Sequence, residues 1–144
     1  MSRRNKIIYW ISTAWLALGM LSTGLVQMLQ VEGEVEFILR LGYPDYFLTF
    51  LGICKILGVV AILVNNFTLV KEWAYAGFFF MMSGALFSHL VAASPVNEIF
   101  PPLLLLVLTF VSWYFRPPNR KIITPKSGGA SYKTNESSNY TSKA

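Results

Sequence analysis

Apolar residues fill four stretches of this chain, at residues 7–29, 46–64, 73–93 and 99–115, and polar residues gather in the gaps between them. Each stretch is close to the roughly 20 residues a helix needs to cross the hydrocarbon core of a bilayer. A backbone in lipid must satisfy its own hydrogen bonds, so four such stretches predict four membrane-spanning helices. Short connections between consecutive helices predict an all-α, antiparallel four-helix bundle over residues 7–116. A basic tip, residues 1–6, precedes it. Residues 117–144, rich in Ser, Thr, Asn, Gly and Lys with no apolar period, are expected to form a disordered cytoplasmic tail.

Small and polar residues mark faces on these helices. In the first, Gly19, Ser22, Thr23 and Val26 follow three- and four-residue spacing, which lets another helix approach closely. This stretch follows Arg3, Arg4 and Lys6 as a signal peptide would, but it is long and lacks a small-x-small cleavage site, so it is predicted to remain as a span. In the second, Gly52, Lys55, Val59 and Ile62 line one stripe. In the third, Gly77, Met81, Gly84 and Ser88 form a small, soft seam, with Ala85, His89 and Ala92 beside it. The fourth opens with Pro101-Pro102, expected in its first turn, where a missing N–H costs little. Between the first two, Glu32, Glu34 and Glu36 share one face if the segment is extended, and Glu32 and Glu36 share one if it is helical. Gly42-Tyr43-Pro44 then breaks the chain.

Composition agrees with a membrane location. The chain is 54% hydrophobic and 13% charged, with a mean hydropathy of +0.50; a soluble domain has about 25% charged residues. The net charge of +5 sits in residues flanking the spans, which argues for topology signals and against nucleic-acid binding. Arg3, Arg4, Lys6, Lys71, Arg116, Arg120 and Lys121 fall on one side and Arg40 alone on the other. Both termini are therefore predicted to face the cytoplasm of a multi-pass inner-membrane protein. The single Cys54 excludes an intramolecular disulfide and a two-cysteine redox motif.

Candidate chemistry lies where a span can least accommodate it. A charge inside a membrane needs a partner, water access or deprotonation. Helix two places Lys55 roughly 13 Å deep, and helix three places His89 roughly 7 Å below its outer end. Gln27 sits a turn below the outer end of helix one, beneath the loop that carries Glu34 and Glu36. An outward-facing polar pocket follows, in which Lys55 pairs with a loop glutamate while Gln27 and His89 complete the wall. Against it stand a snorkelling Lys55, a hydrogen-bonded core histidine and a solvated glutamate loop. A lone histidine with no cysteine or carboxylate on its own helix is a poor metal set, so no metal is expected. No nucleophile-base pair, phosphate loop or nucleotide fingerprint occurs, so an independent enzyme is hard to assemble from this residue inventory.

The segments Leu41-Gly42-Tyr43-Pro44, Lys55-xx-Gly58, the run from Lys71 to Gly77, and Ser88-His89 resemble the DoxX-like family of small bacterial four-helix membrane proteins, with the likeness covering about residues 7–117. The resemblance implies an inner-membrane protein. The family takes its name from relatives of a thiosulfate:quinone oxidoreductase subunit. Many members carry a Gly-xx-Lys arrangement where this chain has Gly24-xx-Gln27. The expected function is an accessory protein binding a small molecule, lipid or protein partner. Lys55 would anchor an anionic or quinone-like group, and Glu34 or Glu36 would supply the counter-charge. The alternative is a membrane subunit of a quinone-linked oxidoreductase complex, with a partner holding the redox centre and a quinone as the cofactor exchanged.

Overall fold

In the computed structural model of the protein, the structure describes residues 1–122. These are all-helical, with no strand among the described residues: α1 (Arg3–Met28), α2 (Glu32–Arg40), α3 (Tyr46–Leu63), α4 (Thr68–Val91), α5 (Val96–Tyr114) and a closing 3-10 turn, Pro118–Arg120. The four long helices, α1, α3, α4 and α5, are each long and apolar enough to cross a membrane. Trp15, Leu18, Phe80, Phe87 and Phe110 are among the large apolar side chains they expose. A soluble monomer rarely carries so much apolar surface, whereas a lipid-facing one requires it.

Three helices start earlier than the apolar runs suggest. The Ser2 side chain accepts from the Asn5 N–H at 3.3 Å, so α1 begins at Arg3 and takes the basic tip into its first turns. Helix α4 begins at Thr68 because Lys71 lies on the same face as Tyr75, Phe78 and Met82, and all four are buried. Helix α5 begins at Val96, placing Glu98 in the first turn, where the helix dipole favours a carboxylate. Pro101 and Pro102 consequently fall inside α5, in its second turn and not its first. The Glu32–Arg40 segment is helical, and it stops as expected. Gly42 adopts φ +86°, with Gly42 N–H donating to Leu39 O at 2.9 Å and Tyr43 N–H to Ile38 O at 3.1 Å. That left-handed cap suits glycine.

Helix α1 packs against α3 and α5, and α4 packs against the same two. Leu16, Met20, Val59, Ile62, Tyr75, Phe78, Met82 and Leu105, drawn from all four, make the shared core. The α3 stripe of Gly52, Lys55, Val59 and Ile62 is buried as read from its spacing, joined by Leu48. At Gly52 an added Cβ would stand 2.6 Å from Gly24 O and 2.7 Å from Met28 Cγ, so α1 and α3 cross with backbones nearly touching. Gly77 and Gly84 of the α4 seam face open space, with nothing within 4 Å of an added Cβ at either position, although Met81 between them packs on the core. The helix contacts that α4 does make use its large residues, with Phe78 filling the space above Gly58 on α3. The expected tail opens with order: Pro117 to Ile122 are described, and Arg120 is buried. Residues 123–144, where the rest of the tail was expected, lie outside the described residues.

Candidate functional site

Lys55 is fixed by the α1–α3 crossing. Gly52, one turn earlier, draws α1 so close that an added Cβ on Gly24 would lie 3.2 Å from the Lys55 Cβ. The stem of the lysine is therefore walled in by α1, and the residue is only 4% exposed. Its Nζ donates to Thr23 Oγ1 at 3.3 Å, and the Thr23 hydroxyl donates in turn to Gly19 O at 2.9 Å. An ammonium has three N–H donors, and Thr23 is the hydrogen-bond partner that the described residues give it.

Two further side chains close this cluster from above. Gln27, one turn along α1 from Thr23, donates from Nε2 to Glu34 Oε2 of α2 at 3.3 Å. Glu34 is also the carboxylate whose field reaches Lys55. The Gln27 Oε1 is buried and accepts no hydrogen bond. Leaving such an acceptor unpaired costs about 1–3 kcal/mol, so the cluster holds both unused donors and an unused acceptor. Helix α2 brings Glu34 here because its amphipathic face packs on α1 and α3, with Ile38 buried beneath it.

The other two expected wall residues stand elsewhere. His89 stacks on the Phe37 ring of α2 at 4.4 Å between centroids. Its Nδ1 lies 3.1 Å from Ser94 Oγ and 3.9 Å from Glu98 Oε2. These contacts fasten α2 to the corner between α4 and α5, and none of them leads to Lys55. Glu36 is exposed, with no side-chain hydrogen bond or ion pair among the described residues. Thr23, Gln27, Glu34 and Lys55 are thus brought together, and His89 and Glu36 are not.

A second polar concentration, at the opposite end, was read from the sequence only as topology signals. Ser112 Oγ lies 2.6 Å from Thr13 Oγ1 and 2.7 Å from Tyr75 Oη, a buried hydroxyl chain joining α1, α5 and α4. Arg116 pairs with Glu72, which also accepts from Trp113 Nε1 at 3.0 Å. Arg120 donates to Tyr9 Oη at 3.2 Å and to Ile62 O at 3.3 Å. The signal was present as helical spacing. Lys71, Tyr75, Phe78 and Met82 recur on one face, as do Leu105, Thr109, Ser112 and Arg116.

Compared with known proteins, the chain matches the model of the DoxX-like family over residues 11–112, which takes in most of α1, all of α2, α3 and α4, and most of α5. No curated protein and no solved structure gives a match.

Proposed function

The chain belongs to the DoxX-like family of membrane proteins, and on that footing we propose that it is an inner-membrane accessory protein that binds a small molecule or lipid at the Thr23–Gln27–Glu34–Lys55 cluster. In this reading the four long helices form an antiparallel bundle with both termini cytoplasmic. The cations near Arg3, Lys71 and Arg116 support that orientation, because Lys and Arg accumulate on the cytoplasmic side. The cluster then lies in the outer half, beneath α2.

One observation carries the proposal: a buried ammonium with a single hydrogen bond stands in the same cluster as a buried, unpaired amide oxygen. A ligand that offers an oxygen acceptor to Lys55 and an O–H or N–H to Gln27 completes both. Glu34 leaves the site near electrical neutrality, which favours a neutral quinol-like or singly charged group over a dianion. A ligand with both an acceptor and an O–H also suits a second reading, a membrane subunit of a quinone-linked oxidoreductase complex, in which the same site holds the quinone in its reduced, quinol form and a partner holds the redox centre.

Calorimetric titration of the purified protein with a short-chain quinol under anaerobic conditions, in a nonionic detergent, tests the assignment. Removing a charged hydrogen bond of about 1.5–3 kcal/mol predicts that Lys55→Met binds at least about tenfold more weakly with helicity unchanged. Equal binding by the variant, or loss of its helical packing, would show that Lys55 is not a ligand anchor.

A further inference from the structure

At the end opposite α2 the molecule buries more positive charge than it neutralises. Lys71, Arg116 and Arg120 are 0%, 3% and 6% exposed. Among the described residues Glu72 pairs with Arg116, and neither Lys71 nor Arg120 forms an ion pair. The Lys71 Nζ and the Arg116 Nε and Nη1 are buried and donate to nothing. Arg116 and Arg120 lie close enough to Lys71 for their fields to reach it. Uncompensated buried cations and unpaired N–H groups both disfavour the folded state, and one anion with several acceptor oxygens would relieve both.

Two cavities meet at this end. One, of about 670 Å³, is lined by Arg116, Lys121, Asn5 and Tyr114 among others. The second, of about 460 Å³, is an apolar cleft between α4 and α5 lined by Trp73, Ala76, Phe79 and Phe110. Glu72 and Trp113 line both, so the basic cavity and the cleft adjoin at these two side chains. A soluble anion matches the first cavity alone. A molecule with an anionic head and a hydrocarbon tail matches the pair.

We propose that this end of the protein binds an anionic phospholipid, with its phosphate against Arg116 and Lys121 and one acyl chain in the α4–α5 cleft. Lys71 and Arg120 stand behind the phosphate and add positive potential. Glu72 holds one nitrogen of Arg116 and leaves Nε and Nη1 without an acceptor. This site is separate from the Lys55 cluster and stands or falls independently of it. The orientation inferred from the flanking cations would place it in the cytoplasmic leaflet, where anionic lipids attract basic residues.

The test is native mass spectrometry of the full chain in nonionic detergent, supplied in turn with dioleoylphosphatidylglycerol, dioleoylphosphatidylcholine and inorganic phosphate. The phosphatidylglycerol adduct should exceed the phosphatidylcholine adduct by about fivefold or more, and phosphate should neither bind nor displace the lipid. Lys121 is exposed, so Lys121→Gln leaves the packing intact and should lower phosphatidylglycerol retention about fivefold. Ala76→Phe fills the cleft without changing charge and should lower it as well. Equal retention of the two lipids would overturn the proposal. So would phosphate competing with phosphatidylglycerol while Ala76→Phe has no effect, which would identify a soluble-phosphate site. Absence of any adduct would mean that the cations serve packing alone.

Discussion

Replacing Gly52 by alanine probes the contact that fixes Lys55. In an ordinary helix interior, Gly→Ala stabilises by about 0.5–1 kcal/mol. At Gly52 the new Cβ would meet Gly24 O at 2.6 Å, Met28 Cγ at 2.7 Å and Met28 N at 3.1 Å. Two of these three atoms are backbone and have no rotamer to change. Carbon contacts are comfortable at about 3.5–4.0 Å, so α1 and α3 must part by roughly 1 Å. Overpacking of this kind costs about 1–3 kcal/mol, leaving a net loss of about 0–2.5 kcal/mol after the helix gain and a protein about 1–3 kcal/mol less stable than one that keeps the gain alone. The internal control is Gly77→Ala, where nothing lies within 4 Å and the helix gain should stand alone. Titration of the purified proteins with a denaturing detergent in mixed micelles, followed by tryptophan fluorescence, measures the difference. Separation of the helices also stretches the 3.3 Å Lys55–Thr23 hydrogen bond, so ligand retention should fall with stability. A Gly52→Ala protein as stable as Gly77→Ala would refute the close α1–α3 crossing and the confinement of Lys55 that follows from it.

Four further substitutions probe three other joints under the same titration. Ser112→Ala leaves the buried Thr13 and Tyr75 hydroxyls without their shared partner and should cost about 1–3 kcal/mol, more than Tyr75→Phe, which removes one bond worth about 1 kcal/mol. Glu72→Leu strands the nearly buried Arg116 guanidinium and should destabilise by about 3–5 kcal/mol, with the Trp113 emission shifting as its Nε1 loses an acceptor. Gly42→Ala forces a Cβ onto a φ of +86° and should cost about 1 kcal/mol, releasing α2 and exposing its amides to hydrogen exchange before those of the long helices.

The sequence made the apolar helices legible because lipid-crossing segments must be long and uniformly apolar, and their composition alone sets them apart. The α3 stripe was legible for a related reason: Lys55 is so costly in lipid that its face had to be an inner one. The start of α4 was hidden because Lys71 and Glu72 look like a polar turn, although Lys71 lies four residues before the buried Tyr75. The Gly77–Gly84 seam misled because small residues allow close approach only where a neighbour exists. Here α3 supplies the glycine, Gly58, and α4 supplies the bulk, Phe78. Helix α2 could not be decided from its glutamates, whose spacing fits strand or helix; burial of Ile38 and the stacking of Phe37 on His89 decide it in three dimensions. The same stacking explains the divided site. Depth placed Lys55 and His89 at one end of the molecule, but depth carries no information about which face each side chain occupies.

The most direct test of a ligand at Lys55 is native mass spectrometry of the protein extracted gently from its own membrane, comparing wild type with Lys55→Met and His89→Ala. A ligand anchored by Lys55 predicts a small-molecule adduct in wild type and in His89→Ala that is absent from Lys55→Met, and its mass would identify the ligand class. An adduct equally present in Lys55→Met, or a bare wild-type chain associated instead with a stoichiometric protein partner, would contradict it.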